Sequence, residues 1–380
     1  MIESPFQYGT LASKENFVDR ISERAMLKQT LYSGINVSLI SPRRWGKSSL
    51  VKMAMDELMQ EKKDVRVCYL DAFSIDSVEE FYSQFASAVV SCTSSKAEKI
   101  IADVKQYIGS IVPSITLGDG INDIISVSLK INPFEEKQSQ LLNLPEKIAS
   151  DKNLKIIVCI DEFQQLASLN GYCELEGKMR SIWQHHKHVS YCFYGSKKHM
   201  MMDIFYDSQK PFYRFSEIMF LDKIKMDDWV PFIMDGFRRT GKSITSQQAE
   251  EICHKTECHS WYLQQMSYFV WSDTLDSVTE EIMSKAFKRI VDTNAPMFVS
   301  DIEKLTSSQR EMLKAISDHQ MQLSSSSVRE KYRLGNLTTI TRNKKILSEK
   351  AFIDSSDGVL YISDPIFKVW FRDRYKSRTI

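Results

Sequence analysis

The sequence predicts an α/β chain in which a parallel sheet wrapped by helices is followed by an all-helical region and a small module of helices and a hairpin. Three observations predict it. Short apolar runs at 36–40, 65–70, 156–160, 191–194 and 218–221 alternate with longer stretches of helical period, the pattern of strands covered on both faces and linked by helices. After the first run, Leu50, Val51, Ala54, Met55, Leu58 and Met59 recur in pairs four residues apart, which gives a helix with one buried face. Beyond residue 225 the strand-like runs stop until 351–363, where a short hairpin is expected around residues 355–358.

Taken in order, these signals divide the 380 residues into three regions, within the range expected for a chain of this length. Residues 1–225 carry the sheet, 226–300 read as helical throughout, and 301–380 read as a winged helix ending in a further helix. An insertion at about 91–145 interrupts the first region: an added helix, then a hairpin from 113–117 and 124–131 across Gly118-Asp119-Gly120. Fifty Lys and Arg balance 49 Asp and Glu, for a net charge of +1, so nothing global announces a polyanionic partner. The last 80 residues differ, with 15 basic side chains against 10 acidic ones.

Seven cysteines lie mostly in apolar runs without a CxxC pair, which predicts thiols in a reducing compartment. With no signal-like start and no run of about 18 apolar residues, the chain reads as cytoplasmic and without a membrane span. Cys253-His254 and Cys258-His259 match none of the usual zinc spacings. His185, His186 and His188 read as a solvent-facing helix end.

The chemistry concentrates at two places. Ser41-Pro42-Arg43-Arg44-Trp45-Gly46-Lys47-Ser48-Ser49 fits the phosphate-loop spacing GxxxxGK[ST], with Ser41 where the first glycine is expected. Pro42 biases Ser41 toward extended backbone. Gly46 lets the loop curl so that N–H groups and the next helix N-terminus face phosphate. Lys47 is placed to bridge the β- and γ-phosphates of ATP, and Ser48 to give its hydroxyl to Mg²⁺. A lone GKS is also an ordinary turn with an exposed lysine, but here it follows an apolar strand and opens an amphipathic helix.

The second place is the run 155–160 ending in Asp161-Glu162, at a strand's carboxyl end, where ligands of open α/β sheets bind. Asp161 is expected in the Mg²⁺ shell and Glu162 as the group that polarises attacking water. Ser196, after the strand 191–194, is placed to sense the γ-phosphate or the water. Arg214 precedes the last strand and is a candidate to stabilise phosphate charge, in its own subunit or a neighbour's.

Assembled, these residues resemble the prokaryotic archaeal-ATPase family, in the STAND branch of AAA+ P-loop proteins. The marks are Phe17-Val18-Asp19-Arg20, Pro42-Arg43-Arg44-Trp45-Gly46-Lys47-Ser48, Asp161-Glu162-Phe163-Gln164, Gly195-Ser196, Pro211-Phe212-Tyr213 and Asp364-Pro365-Ile366-Phe367-Lys368-Val369-Trp370-Phe371. The resemblance implies a sheet ordered 5-1-4-3-2, a helical lid, a terminal winged helix, nucleotide held between sheet and lid, and Ser196 as sensor. It also implies an adenine-side role for the segment 17–20. At Cys258-His259-Ser260-Trp261-Tyr262-Leu263-Gln264 the chain departs from the family's Gly-x-Pro turn.

In the basic module, helices are expected at 307–316, 325–332 and 338–348. The third carries Thr338, Thr339, Thr341, Arg342, Lys344 and Lys345 beside Leu337, Ile340 and Leu347. Residues 325–363 therefore form a candidate surface for duplex DNA, and winged helices equally serve to dock a protein partner or a second copy of the chain. Two functional readings result: ATP hydrolysis coupled to movement of the lid and winged helix, and a slow ATP/ADP switch that controls assembly or partner binding. The presence of Lys47, Ser48, Asp161 and Glu162 argues against a DNA-binding module indifferent to nucleotide.

Overall fold

The structure, a computed structural model, describes residues 3–12, 14–93, 106, 113–116, 126–129, 135–356 and 358–375. The chain divides into two compact units, one of Arg20–Asp222 and one of Met1–Asp19 with Lys223–Ile380.

The first unit opens with α1 (Ile21–Tyr32), β1 (Val37–Ile40), α2 (Lys47–Glu61), β2 (Val65–Asp71) and α3 (Val78–Thr93). A hairpin of β3 (Pro113–Thr116) and β4 (Ser126–Leu129) follows, then α4 (Glu135–Leu142) and α5 (Leu144–Lys152). The hairpin falls where the sequence sets it; its Gly118-Asp119-Gly120 turn and the added helix lie outside the described residues. The unit continues with β5 (Lys155–Asp161), α6 (Tyr172–Trp183), β6 (Val189–Gly195), α7 (Lys198–Tyr206) and β7 (Glu217–Phe220).

Five strands form one sheet in the order β2-β5-β6-β1-β7, with every pairing parallel. Numbered within the sheet this is 5-1-4-3-2. Its consequence is local: β6 lies between β1 and β5, so three strand ends that carry polar side chains finish side by side. The register aligns Ile40 with Gly195 and Asp71 with Asp161.

All seven residues of β6 and five of the seven in β5 are buried, as expected of strands with helices on both faces. Trp183 stacks on Tyr191 with ring centroids 4.2 Å apart, and Phe163 meets Phe193 at 4.6 Å. His186 is held by the Tyr191 hydroxyl and Asn143, where burial lowers its pKa to about 4; it does not simply face solvent. Cys68 of β2 and Cys92 of α3 are joined in a disulfide, a correction to the reading of all seven as thiols. Packing of α3 on β2 brings together two residues that sequence spacing could not pair.

In the second unit, residues 3–12 pack with the later helices: the Phe6 ring lies 5.9 Å from Phe232 and 5.5 Å from Phe237. Those helices are α8 (Met226–Arg239), α9 (Ser246–Lys255), α10 (Ser260–Asp273) and α11 (Glu280–Glu303). Between α9 and α10, Glu257 and Cys258 both take left-handed backbone, φ 49° and 52°. Then come α12 (Ser307–Ser317), α13 (Ser326–Lys331), α14 (Leu337–Glu349), the hairpin of β8 (Ile353–Ser356) with β9 (Val359–Ile362), and α15 (Pro365–Tyr375). This is a winged helix. Asp364 caps α15 and accepts the Tyr262 hydroxyl at 2.6 Å, while Phe367 and Trp370 pack on Phe298. The terminal helix is thereby fixed to its own unit. Among the described residues no helix is long and apolar enough to cross a membrane.

The aromatic cluster around Phe193 is the test of the first unit's packing. Phe193 is fully buried against Phe163, Phe205 and Phe212. Phe193→Ala should cost about 3–5 kcal/mol, read as a lower denaturant midpoint at unchanged slope; a loss below about 1 kcal/mol would mean the cluster is not packed in this way.

Candidate active site

The phosphate loop joins β1 to α2. Ser41 leaves the strand buried, its N–H donating to the Gly195 carbonyl at 3.3 Å. It does so without a left-handed φ, so the glycine expected there is not needed. Pro42 and Trp45 are partly buried, and Arg43 and Arg44 are exposed. Arg44 takes φ 65° and Gly46 φ 91°. A Cβ at Gly46 would meet nothing within 4 Å, so backbone conformation, not space, requires glycine there. The first turn of α2 then buries Lys47 and Ser49 and leaves Ser48 partly exposed.

From β5, Asp161 and Glu162 meet this turn. The Ser48 hydroxyl donates to Asp161 Oδ2 at 2.7 Å, and Lys47 Nζ lies 3.2 Å from Glu162 Oε1. Asp161 Oδ1 accepts the Glu162 N–H at 2.8 Å. Glu162 itself adopts φ 47°, ψ 39°, a left-handed conformation that costs a non-glycine residue about 1–2 kcal/mol. That turn aims its carboxylate back across the strand ends, where Oε2 accepts the Ser196 hydroxyl at 2.8 Å and the Ser196 N–H at 3.4 Å.

The two carboxylates are tuned in opposite directions. Burial raises the Asp161 pKa, and Lys47, Ser48 and the Glu162 N–H only partly offset it. Burial also acts upward on Glu162, but the Lys47 charge and hydrogen bonds from Gln164, Ser196 and Lys47 outweigh it and hold the carboxyl below the ordinary glutamate value. Glu162 is thus kept ionised.

Of the sequence-derived residues, Lys47, Ser48, Asp161, Glu162 and Ser196 converge. Arg214 does not join them: it is exposed, at φ 53°, with its guanidinium over the Tyr213 ring at 5.2 Å. Two contributors were missed. The fully buried Gln164 donates from Nε2 to Glu162 Oε2, and Gly195 makes room for it, since a Cβ there would stand 1.9 Å from Gln164 Oε1. In the sequence both stand only within the marks Asp161-Glu162-Phe163-Gln164 and Gly195-Ser196, and the glutamine two residues beyond Glu162 was the available signal.

Ser48 and Asp161 offer hard oxygens at one point, the donor chemistry Mg²⁺ uses when phosphates and water complete its shell. The loop N–H groups and Lys47 supply what a triphosphate needs. Among the described residues no cluster of three or more His, Cys, Asp or Glu could hold another metal.

A buried loop lysine facing an Asp-Glu pair on a 5-1-4-3-2 parallel sheet defines a P-loop nucleoside triphosphatase. Comparison with known proteins narrows this. Residues 17–266 match the family described as an ATPase domain predominantly from Archaea, and residues 296–373 match a probable winged helix domain. The chain belongs to that archaeal ATPase family and is an ATP-hydrolysing enzyme.

Among solved structures, it is similar to the Walker-type ATPase PABY2304 of Pyrococcus abyssi at 16% identity and TM-score 0.70, over 94% of this chain and 97% of that one. It is also similar to the Aeropyrum pernix ORC2 protein, solved in ADPNP-ADP complexes, at 14% identity and TM-score 0.60, over 98% and 100%. At these identities the likeness shows a common fold. No curated protein matches the chain.

The pKa directions set a pH dependence. Because the Glu162 pKa is depressed in the folded state, its ionisation stabilises the fold above the ordinary value of 4.5, and that contribution is lost as pH falls through the folded value. The stability difference between wild type and Glu162→Gln should therefore shift against the wild type on acidification below 4.5. Denaturant unfolding at stepped pH measures it, and a difference independent of pH would remove the Lys47–Glu162 pair as the cause.

Proposed function

We propose that the chain hydrolyses ATP in a Mg²⁺-dependent reaction in which Glu162 orients and polarises the attacking water. The observation that carries this reading is the convergence of Lys47, Ser48, Asp161, Glu162 and Ser196 across three adjacent strand ends. Lys47 would leave Glu162 for the β- and γ-phosphates, and Glu162 Oε1 would then be the oxygen facing water. Ser48 and Asp161 would hold Mg²⁺, which when bound offsets phosphate charge. Ser196, bonded to the same carboxylate, would report the state of the γ-phosphate. Arg214 has the exposure that a role toward a neighbouring subunit's phosphate requires.

On this reading, 1–225 act as the nucleotide domain, with the correction that residues before Arg20 belong to the second unit, 226–300 as a lid and 301–380 as the output module of a cytoplasmic, STAND-type ATPase. The output partner we favour is duplex DNA, through 325–363. Helix α14 buries Ile340, Asn343 and Leu347 and exposes Thr338, Thr341, Arg342, Lys344 and Lys345, and Asn336 caps its N-terminus by accepting the Thr339 N–H at 2.8 Å. Cations on the outer face of such a helix suit phosphate contacts. A slow ATP/ADP switch, with a protein partner or a second copy as its output, is the second reading. The bonds on both oxygens of Glu162 favour it, since the base must be released before each turnover.

Two experiments test the pair. Lys47→Ala should abolish ATP binding, whereas Glu162→Gln should bind ATP and lose at least about 100-fold in kcat; normal turnover by Glu162→Gln removes Glu162 as the base. For DNA, anisotropy titrations across a salt series should give Arg342→Ala/Lys345→Ala weaker binding and a salt slope lower by about 2, and an unchanged slope would direct the search to protein partners.

A further inference from the structure

Glu162 does not hold its two oxygens alike. Among the described residues, Oε1 meets Lys47 alone, at 3.2 Å. Oε2 takes the Ser196 hydroxyl, the Ser196 N–H and the Gln164 amide. Gln164 is fully buried, and among the described residues its own Oε1 has no hydrogen-bond partner. Leaving a buried carbonyl unpaired is unfavourable, so this orientation must be fixed by the other half of the amide. Reversed, the amide would set its oxygen against an ionised carboxylate. The neighbouring chain fits this arrangement: Gly195 leaves room for Gln164 Oε1 where any Cβ would collide, 1.9 Å away.

We infer that Gln164 is a positioning residue for hydrolysis: with Ser196 it anchors Glu162 Oε2, so that departure of Lys47 to the phosphates frees Oε1 alone, already aimed. The inference rests on the reading of Glu162 as the base. It assigns Gly195 a second task besides ending β6, since the width of the chain there sets whether the anchor can form. It also ties the base to Ser196 through one shared oxygen, so displacement of Ser196 would move the base.

The test is the pH profile of kcat, with ATP affinity measured separately, for wild type, Gln164→Met, Gly195→Ala and the double variant. Met keeps the length of Gln without the donor. Gln164→Met should lower kcat about tenfold or more with KM within about twofold, and should move the acid limb up by about one pH unit, because a hydrogen bond to the charged carboxylate is lost. Gly195→Ala, which displaces the amide, should show the same two changes, and the double variant should be no worse than either single one.

A merely structural glutamine would lower the melting temperature and leave the acid limb where it was. A folded Gln164→Met enzyme with unchanged kcat and acid limb overturns the inference. Should that variant not fold, Gln164→Asn, which keeps the amide but withdraws it by one methylene, carries the same expectation. Glu162→Gln run alongside separates the two failures: if it is inactive while the Gln164 variants are normal, only this inference falls, and if it turns over normally the base assignment falls with it.

Discussion

A lysine ammonium and a glutamate carboxylate, with side chains only 8% and 17% exposed, face each other at 3.2 Å across the strand ends of the first unit. Two charges so far out of water are tolerable only in each other's presence and with their remaining valences satisfied. That requirement governs much of the local architecture. It needs β1 and β5 on either side of β6, a loop that ends where α2 begins, and a glutamate turned into a left-handed conformation. The strand order supplies the first, Gly46 the second, and backbone strain at Glu162 the third.

The pair also explains why neighbouring acids behave differently. Asp161 feels the Lys47 charge as well, together with a neutral hydroxyl and a backbone N–H, but these do not overcome its burial and the neighbouring Glu162 charge. Glu162 receives a full positive charge and several donors, which do. Adjacent residues on one strand end are thus tuned apart, one carboxyl held above its ordinary value and the other below it.

Much of this could be read in the sequence because the physics involved is local or periodic. Strands buried on both faces are written as apolar runs, and β1, β2, β5, β6 and β7 all fall on the expected runs. The loop and the Asp-Glu pair are fixed by spacing along one strand end each. What escaped depends on contacts between distant segments. Nothing near Gln164 reveals that Gly195, on the next strand, leaves room for it. Likewise Cys68 and Cys92 meet only because α3 lies on β2. Arg214 precedes a strand end in sequence, yet its guanidinium lies over the Tyr213 ring and apart from the carboxylates of its own chain.

One feature of the chain's path bears on its synthesis. The first unit is a single continuous segment, whereas the second is assembled from residues before position 20 and after position 222. A ribosome releasing the chain from its N-terminus therefore completes every strand of the five-stranded sheet while Phe6 still lacks Phe232 and Phe237. Domains tend to fold as units when their last residue emerges, so the nucleotide-handling half can mature early. The leading segment must meanwhile keep an aromatic side chain waiting, exposed, for helices not yet made.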